Sequence, residues 1–200
     1  MKFPSYLAAG VLSVCLSSAP ALANATGITG YSGKSSATCT TCHAGGTAPT
    51  VVIEGPTELE AGATGQYTLI IKGGTGVKGG FNVAVDNAAA SLTAGAGSKK
   101  VGSELTHSAA KAFSNGEVRF EFSLAAPQSD ATVKIFGVGN SVNGDNKETA
   151  GDMSALATAT VTIKAAAEED AGGCSSTGGA PVMLLSLLAG GMTLLRRRRA

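Results

Sequence analysis

Apolar and polar residues alternate with a period of two along most of the middle of the chain. Tyr67, Leu69 and Ile71 alternate with Thr68, Ile70 and Lys72, and Phe81, Val83 and Val85 with Asn82, Ala84 and Asp86. The cleanest run sets Val118, Phe120, Phe122 and Leu124 against Glu117, Arg119, Glu121 and Ser123. Val133 and Ile135 follow, then Ala159, Val161 and Ile163 against Thr158, Thr160, Thr162 and Lys164. Successive side chains of a strand point to opposite faces. Strict alternation therefore predicts strands buried on one face and wet on the other, as in antiparallel sheets. Between the runs lie turn-rich segments: 62–65, 73–80, 114–116 and 143–145. Short strands parted by such turns predict an all-β, immunoglobulin-like antiparallel β-sandwich of about seven strands over 51–164.

Both ends depart from this pattern. Lys2, the apolar run from Tyr6 to Leu16 and the small-x-small triplet Ala21-Leu22-Ala23 read as a signal peptide over 1–23, which carries Cys15 away with it. Residues 24–50 are rich in Gly, Ser and Thr with little periodicity and predict an irregular arm. After the sandwich, 165–173 reads as an acidic, Gly-rich stalk. From Ala180 to Leu195 an apolar stretch predicts a short helix, followed by Arg196 to Arg199. As a helix it reaches roughly 24 Å, a marginal span for a bilayer core of about 30 Å. The arginines are expected on the cytoplasmic side.

Trimming both ends changes the charge balance. The whole chain is +1, but between Asn24 and Gly173 ten Lys and Arg face fourteen Asp and Glu. A mature part of net negative charge without a basic stripe argues against a nucleic-acid partner. The 150 residues that remain suffice for one domain with one core.

Only Cys39 and Cys42 are left in that domain, and they form Cys39-Thr40-Thr41-Cys42-His43, a C-x-x-C-H motif. Two thiols at this spacing add to the two vinyl groups of a haem, and the histidine that follows reaches its iron from the proximal side. His107 is the only other histidine and the candidate distal ligand, with Met153 a weaker one. In an oxidising compartment the alternative is a local Cys39–Cys42 disulfide. A zinc site has only three ligands visible here, and no βαβ pattern surrounds the motif to suggest a thioredoxin-like role. Other patterns say less. Gly74 to Gly79 fits G-x-G-x-x-G, but a strand rather than a helix follows, so it reads as a hairpin loop. Asn140, Asn143, Asp145, Asn146 and Asp152 offer oxygens for Ca²⁺ in one segment, although Asx residues also favour turns for their own reasons. With two histidines in the chain, no Ser/His/acid set suggests nucleophilic catalysis, and the chain is not expected to be an enzyme.

Two resemblances add to this reading. Cys174-Ser175-Ser176, the short apolar helix and the arginine cluster, over 174–200, resemble the MYXO-CTERM sorting tail. That likeness implies processing by a sorting protease at Cys174, lipid attachment there as an option, and a place at the cell surface, anchored to the membrane. Within the domain, Gly30-Tyr31-Ser32-Gly33, Cys39 to Gly46, Gly79-Gly80-Phe81-Asn82, Thr106-His107-Ser108, Ala126-Pro127 and the segment from Gly139-Asn140 to Gly151-Asp152 recur in the order of the choice-of-anchor V domain, a bacterial surface module. The later part is similar to the extracellular Reeler domain. The chain departs from the pattern at Leu124, where related sequences carry tryptophan before Ala-Pro. The resemblance implies a surface module with a cytochrome-like motif and no established reaction. The expected function is thus electron transfer through haem c held by Cys39, Cys42, His43 and His107, with a redox partner protein. The alternative is an adhesion or envelope-structural module stapled by a Cys39–Cys42 disulfide.

Overall fold

The computed structural model describes residues 25–165 except Thr75 and Thr149; the signal segment, most of the stalk and the sorting tail with Cys174 and 180–195 lie outside them. Eleven strands are found among the described residues: β1 (Thr50–Glu54), β2 (Glu58–Glu60), β3 (Thr64–Lys72), β4 (Lys78–Val85), β5 (Ser91–Ala94), β6 (Ser98–Val101), β7 (Glu104–His107), β8 (Lys111–Ala112), β9 (Glu117–Ala125), β10 (Ala131–Val142) and β11 (Met153–Lys164). One sheet runs β1-β3-β9-β5. The other runs β2-β11-β10-β4-β7-β6, with β8 pairing an end of β4. Every pairing is antiparallel except β2 with β11. The protein is an immunoglobulin-like sandwich, with β1, β3 and β9 in the A, B and E places facing β11, β10 and β4 in the G, F and C places.

The alternating runs supply its core. Leu69, Ile71, Phe120, Phe122 and Leu124 from one sheet meet Phe81, Val83, Val133, Ile135, Val161 and Ile163 from the other. Phe81 and Phe120 stack across the gap with ring centroids 4.3 Å apart. Gly137 and Gly139 turn their bare faces inward: a Cβ on Gly139 would come 2.6 Å from Ile71 Cγ1 and 2.8 Å from Val51 Cγ2. Those glycines interrupt the apolar rhythm, so β10 runs seven residues past Ile135 where the pattern marks only a short strand.

Three expectations are corrected. The strand count exceeds seven because β2, β5, β6, β7 and β8 span two to four residues each, too few to show a period. The segment 73–77 is not a hairpin loop: β3 and β4 lie in different sheets, so it crosses the sandwich. The wet face of β4 is not wet. Gly80, Asn82 and Ala84 are buried as deeply as Phe81, Val83 and Val85, because the arm covers that face. On the other sheet Ile70, placed on the polar side of its run, is also fully buried, between its cross-strand neighbours Val52 and Arg119.

Candidate functional site

The outer face of the seven-stranded sheet is built for a lid. Register places Thr106, Asn82, Val138 and Leu156 in one cross-strand row, and Gly80, Asn140 and Ser154 in the next. These residues are small or neutral, and all but Leu156 are buried. The arm lies on them. Gly27 packs against Thr106 and Gly33 against Leu156; each glycine has a positive φ, and a Cβ on Gly27 would lie 2.5 Å from the His107 carbonyl oxygen.

Three side chains tie the arm down. Glu104 accepts from Gly30 N at 2.6 Å and from Ser32 Oγ at 2.7 Å. Asn82 donates through Nδ2 to the Ile28 carbonyl, and its Oδ1 faces Cys39 Sγ at 3.9 Å. Asp152, fully buried, accepts from Asn143 N at 2.9 Å and pairs with His43 Nδ1 at 2.7 Å. Its own carbonyl receives Gly46 N at 2.9 Å. The C-x-x-C-H segment is thereby held at both ends.

Between these ties the motif coils into one 3₁₀ turn, Cys39–Thr41, closed by Cys42 N and His43 N on the Cys39 carbonyl at 3.2 and 2.8 Å. Cys39 points inward and Cys42 outward, and the two thiols are not bonded to each other. Burial pushes the Cys39 thiol up to about 12, the neighbouring Cys42 and Glu104 adding to the effect against a backbone hydrogen bond that opposes it.

Two adjoining pockets open at the motif, and His43, Gly80, His107 and Asn140 line both. Cys39 and Cys42 line one of them. The fold therefore brings Cys39, Cys42, His43 and His107 together, although 64 residues separate the two histidines. Met153 opens β11 and lines neither pocket. His107 ends β7, with Nδ1 3.2 Å from Phe81 N and 3.5 Å from Phe81 O. Bonded to the carbonyl, Nδ1 carries the proton and Nε2 keeps its lone pair. Bonded to the Phe81 N–H, the neutral ring carries the proton on Nε2.

The residues fit a covalently held haem in kind. The Asp152 carboxylate accepts from His43 Nδ1, which in the neutral ring leaves Nε2 bare for a metal, the arrangement usual for metal-bound histidines. Gly80 keeps the space beside His107 open, since a Cβ there would lie 2.6 Å from His107 Cε1. Asn140 Oδ1 is buried without a hydrogen-bond partner at the junction of the two pockets, as is expected where a further group belongs. Among the described residues no three His, Cys, Asp or Glu side chains converge on a bare metal ion. Of the five side chains considered for Ca²⁺, three are engaged within the protein. Asn143 Oδ1 accepts from Asp145 N at 3.0 Å, Asp145 Oδ1 from Lys147 N at 2.8 Å, and Asp152 is engaged as above.

The reading of residues alone missed Glu104 and underused Asn82 and Asp152. The available signal was local: asparagine is disfavoured within a strand, yet Asn82 sits between Phe81 and Val83 in the middle of one.

No protein-family model matches the chain, and no curated protein matches it. Among solved structures it is similar to the PKD domain of an M14-like peptidase from Thermoplasmatales archaeon SCGC AB-540-F20, at 18% identity and TM-score 0.33, over 58% of this chain and 95% of that one. It is also similar to the CARDB domain of a Pyrococcus furiosus protein, determined in complex with di-metal ions, at 15% identity and TM-score 0.33, over 57% of this chain and 88% of that one.

Proposed function

We propose that this protein is an exported, surface-anchored sandwich whose arm carries a covalently attached haem and serves electron transfer rather than substrate chemistry. The observation that carries the reading is the convergence on one pocket of Cys39, Cys42, His43 and His107, with His43 oriented by buried Asp152. Each residue has a distinct part. Cys39 and Cys42 would hold the haem through two thioether sulfurs, and His43 and His107 would each offer an imidazole nitrogen to its iron. When bound, the haem supplies a one-electron iron couple, exchanging its electron with a redox partner protein.

The chain's own work is orientation and exclusion of water. Asp152 holds the His43 tautomer, Asn82 and Glu104 clamp the arm, and Ile28 gives the pocket an apolar wall. The raised Cys39 pKa makes the folded thiol a poor nucleophile, which favours attachment before the arm closes. Surface placement rests on the signal segment and on the MYXO-CTERM-like tail with Cys174. The domain itself is read as Reeler-like, of the choice-of-anchor V kind.

Intact mass of the mature protein, made in cells that attach haem to C-x-x-C-H, tests this. The expected mass is that of the polypeptide plus one haem retained after denaturation. A polypeptide two hydrogens short, with no haem, shows a Cys39–Cys42 disulfide and leaves the adhesion or structural reading in its place.

A further inference from the structure

The two pockets that share His43, Gly80, His107 and Asn140 differ in their far ends. One holds the thiols with Ile28, Tyr31 and Glu148, whereas the other holds Lys78 and Lys147 with Asp145 and Asp152. Lys78 stands two residues before Gly80 on the same face of β4, and Lys147 overhangs from the β10–β11 loop. A haem is two-ended in the same sense, with its vinyl carbons and its two propionate carboxylates on different edges.

We propose that Lys78 and Lys147 form a carboxylate-recognising end of the site, receiving the propionates while the thioethers fix the other edge. This rests on the haem reading above. Neither Lys78 nor Lys147 makes an ion pair among the described residues, which is equally true of Lys99 and Lys100, so it is their place in the pocket lining that sets them apart. Asp145 lines the same pocket, but its oxygens receive Asn143 Nδ2 at 3.2 Å and Lys147 N at 2.8 Å. The two lysines thus border an opening lined also by Asn140, whose Oδ1 is buried without a partner, and by two histidines. That combination suits a dianionic, flat, metal-bearing ligand better than a neutral one.

The test uses the full chain with Cys39→Ser and Cys42→Ser, so that binding is reversible, titrated with haemin and with haemin dimethyl ester and followed by absorbance. Haemin is expected to bind about tenfold more tightly than the ester, the effect of two partly exposed ion pairs. Adding Lys78→Gln and Lys147→Gln closes that gap, while Lys99→Gln and Lys100→Gln, on β6 away from the pockets, leave it open. Equal affinity for the two porphyrins overturns the proposal, as does a gap indifferent to Lys78 and Lys147. So does failure of both porphyrins to bind when the unsubstituted protein matures with haem. If the unsubstituted protein carries no haem, the underlying reading fails with it, and the two failures are told apart by that control.

Discussion

Asp152 is where one side chain controls most. Its carboxylate accepts the Asn143 N–H on one oxygen and His43 Nδ1 on the other, at a site with no solvent. Asparagine at this position keeps the size but replaces one acceptor oxygen with a donor, so one of the two bonds is lost. Asp152→Asn is expected to destabilise the domain by about 1–3 kcal/mol, read from denaturant unfolding. An unchanged midpoint would show that the pair with His43 holds nothing. Two acids titrate late. Burial pushes the Tyr67 hydroxyl up from 10.0 to about 12, and the Cys39 thiol moves from 9.0 to about 12. Both fold-state values lie above the unfolded ones, so the folded chain holds these protons more tightly. Their contribution is intact below about pH 9 and is lost as the pH rises towards 12. In protein without haem, denaturant midpoints should fall steadily over that window. At pH 8 iodoacetamide should label exposed Cys42 well before Cys39, and unfolding in urea should abolish the difference.

At the level of elements, the arm and β10 make separate demands. Glu104 joins the arm to β7 through two bonds to a charged group. Glu104→Ala should lower the local opening free energy of the arm by roughly 2 kcal/mol, a factor of about 30 in amide exchange, while protection in β3 and β9 stays the same. Equal loss of protection in arm and core would mean that the two unfold together. Gly139→Ala tests β10 instead. Its Cβ meets Ile71 and Val51, and overpacking there should cost about 1–3 kcal/mol without disturbing the arm. The same two elements show what a sequence pattern carries. The runs around Leu69, Val83, Phe120 and Val161 announce their strands because each has one face in the core. Beyond Ile135, β10 keeps no such rhythm, since its inward positions are Gly137 and Gly139. The polar side of β4 reads as wet because periodicity records alternation, not what lies outside the sheet. Asn82 and Asn140 are buried only because a non-periodic segment lies over them. The C-x-x-C-H motif and His107 could be picked out by residue type alone. Their meeting depends on β7 pairing with β4 and on the clamps from Asn82, Glu104 and Asp152, long-range contacts that leave no local trace.

On the scale of the whole molecule, the proposed function makes the sandwich the platform and the arm the working part. The core between the two sheets is apolar, and the candidate site lies on the outer face, where the arm, β4, β7 and the β10–β11 loop meet. Such a design separates stability from function: core substitutions should shift unfolding without altering ligation, and arm substitutions the reverse. The most direct measurement is the electron paramagnetic resonance spectrum of the ferric protein matured with haem, compared with His107→Ala. Two imidazoles on one iron predict a low-spin signal in the native protein that turns high-spin when His107 is removed. A high-spin signal in both, or a low-spin signal that survives the substitution, would contradict the pairing of His43 with His107 across a single haem.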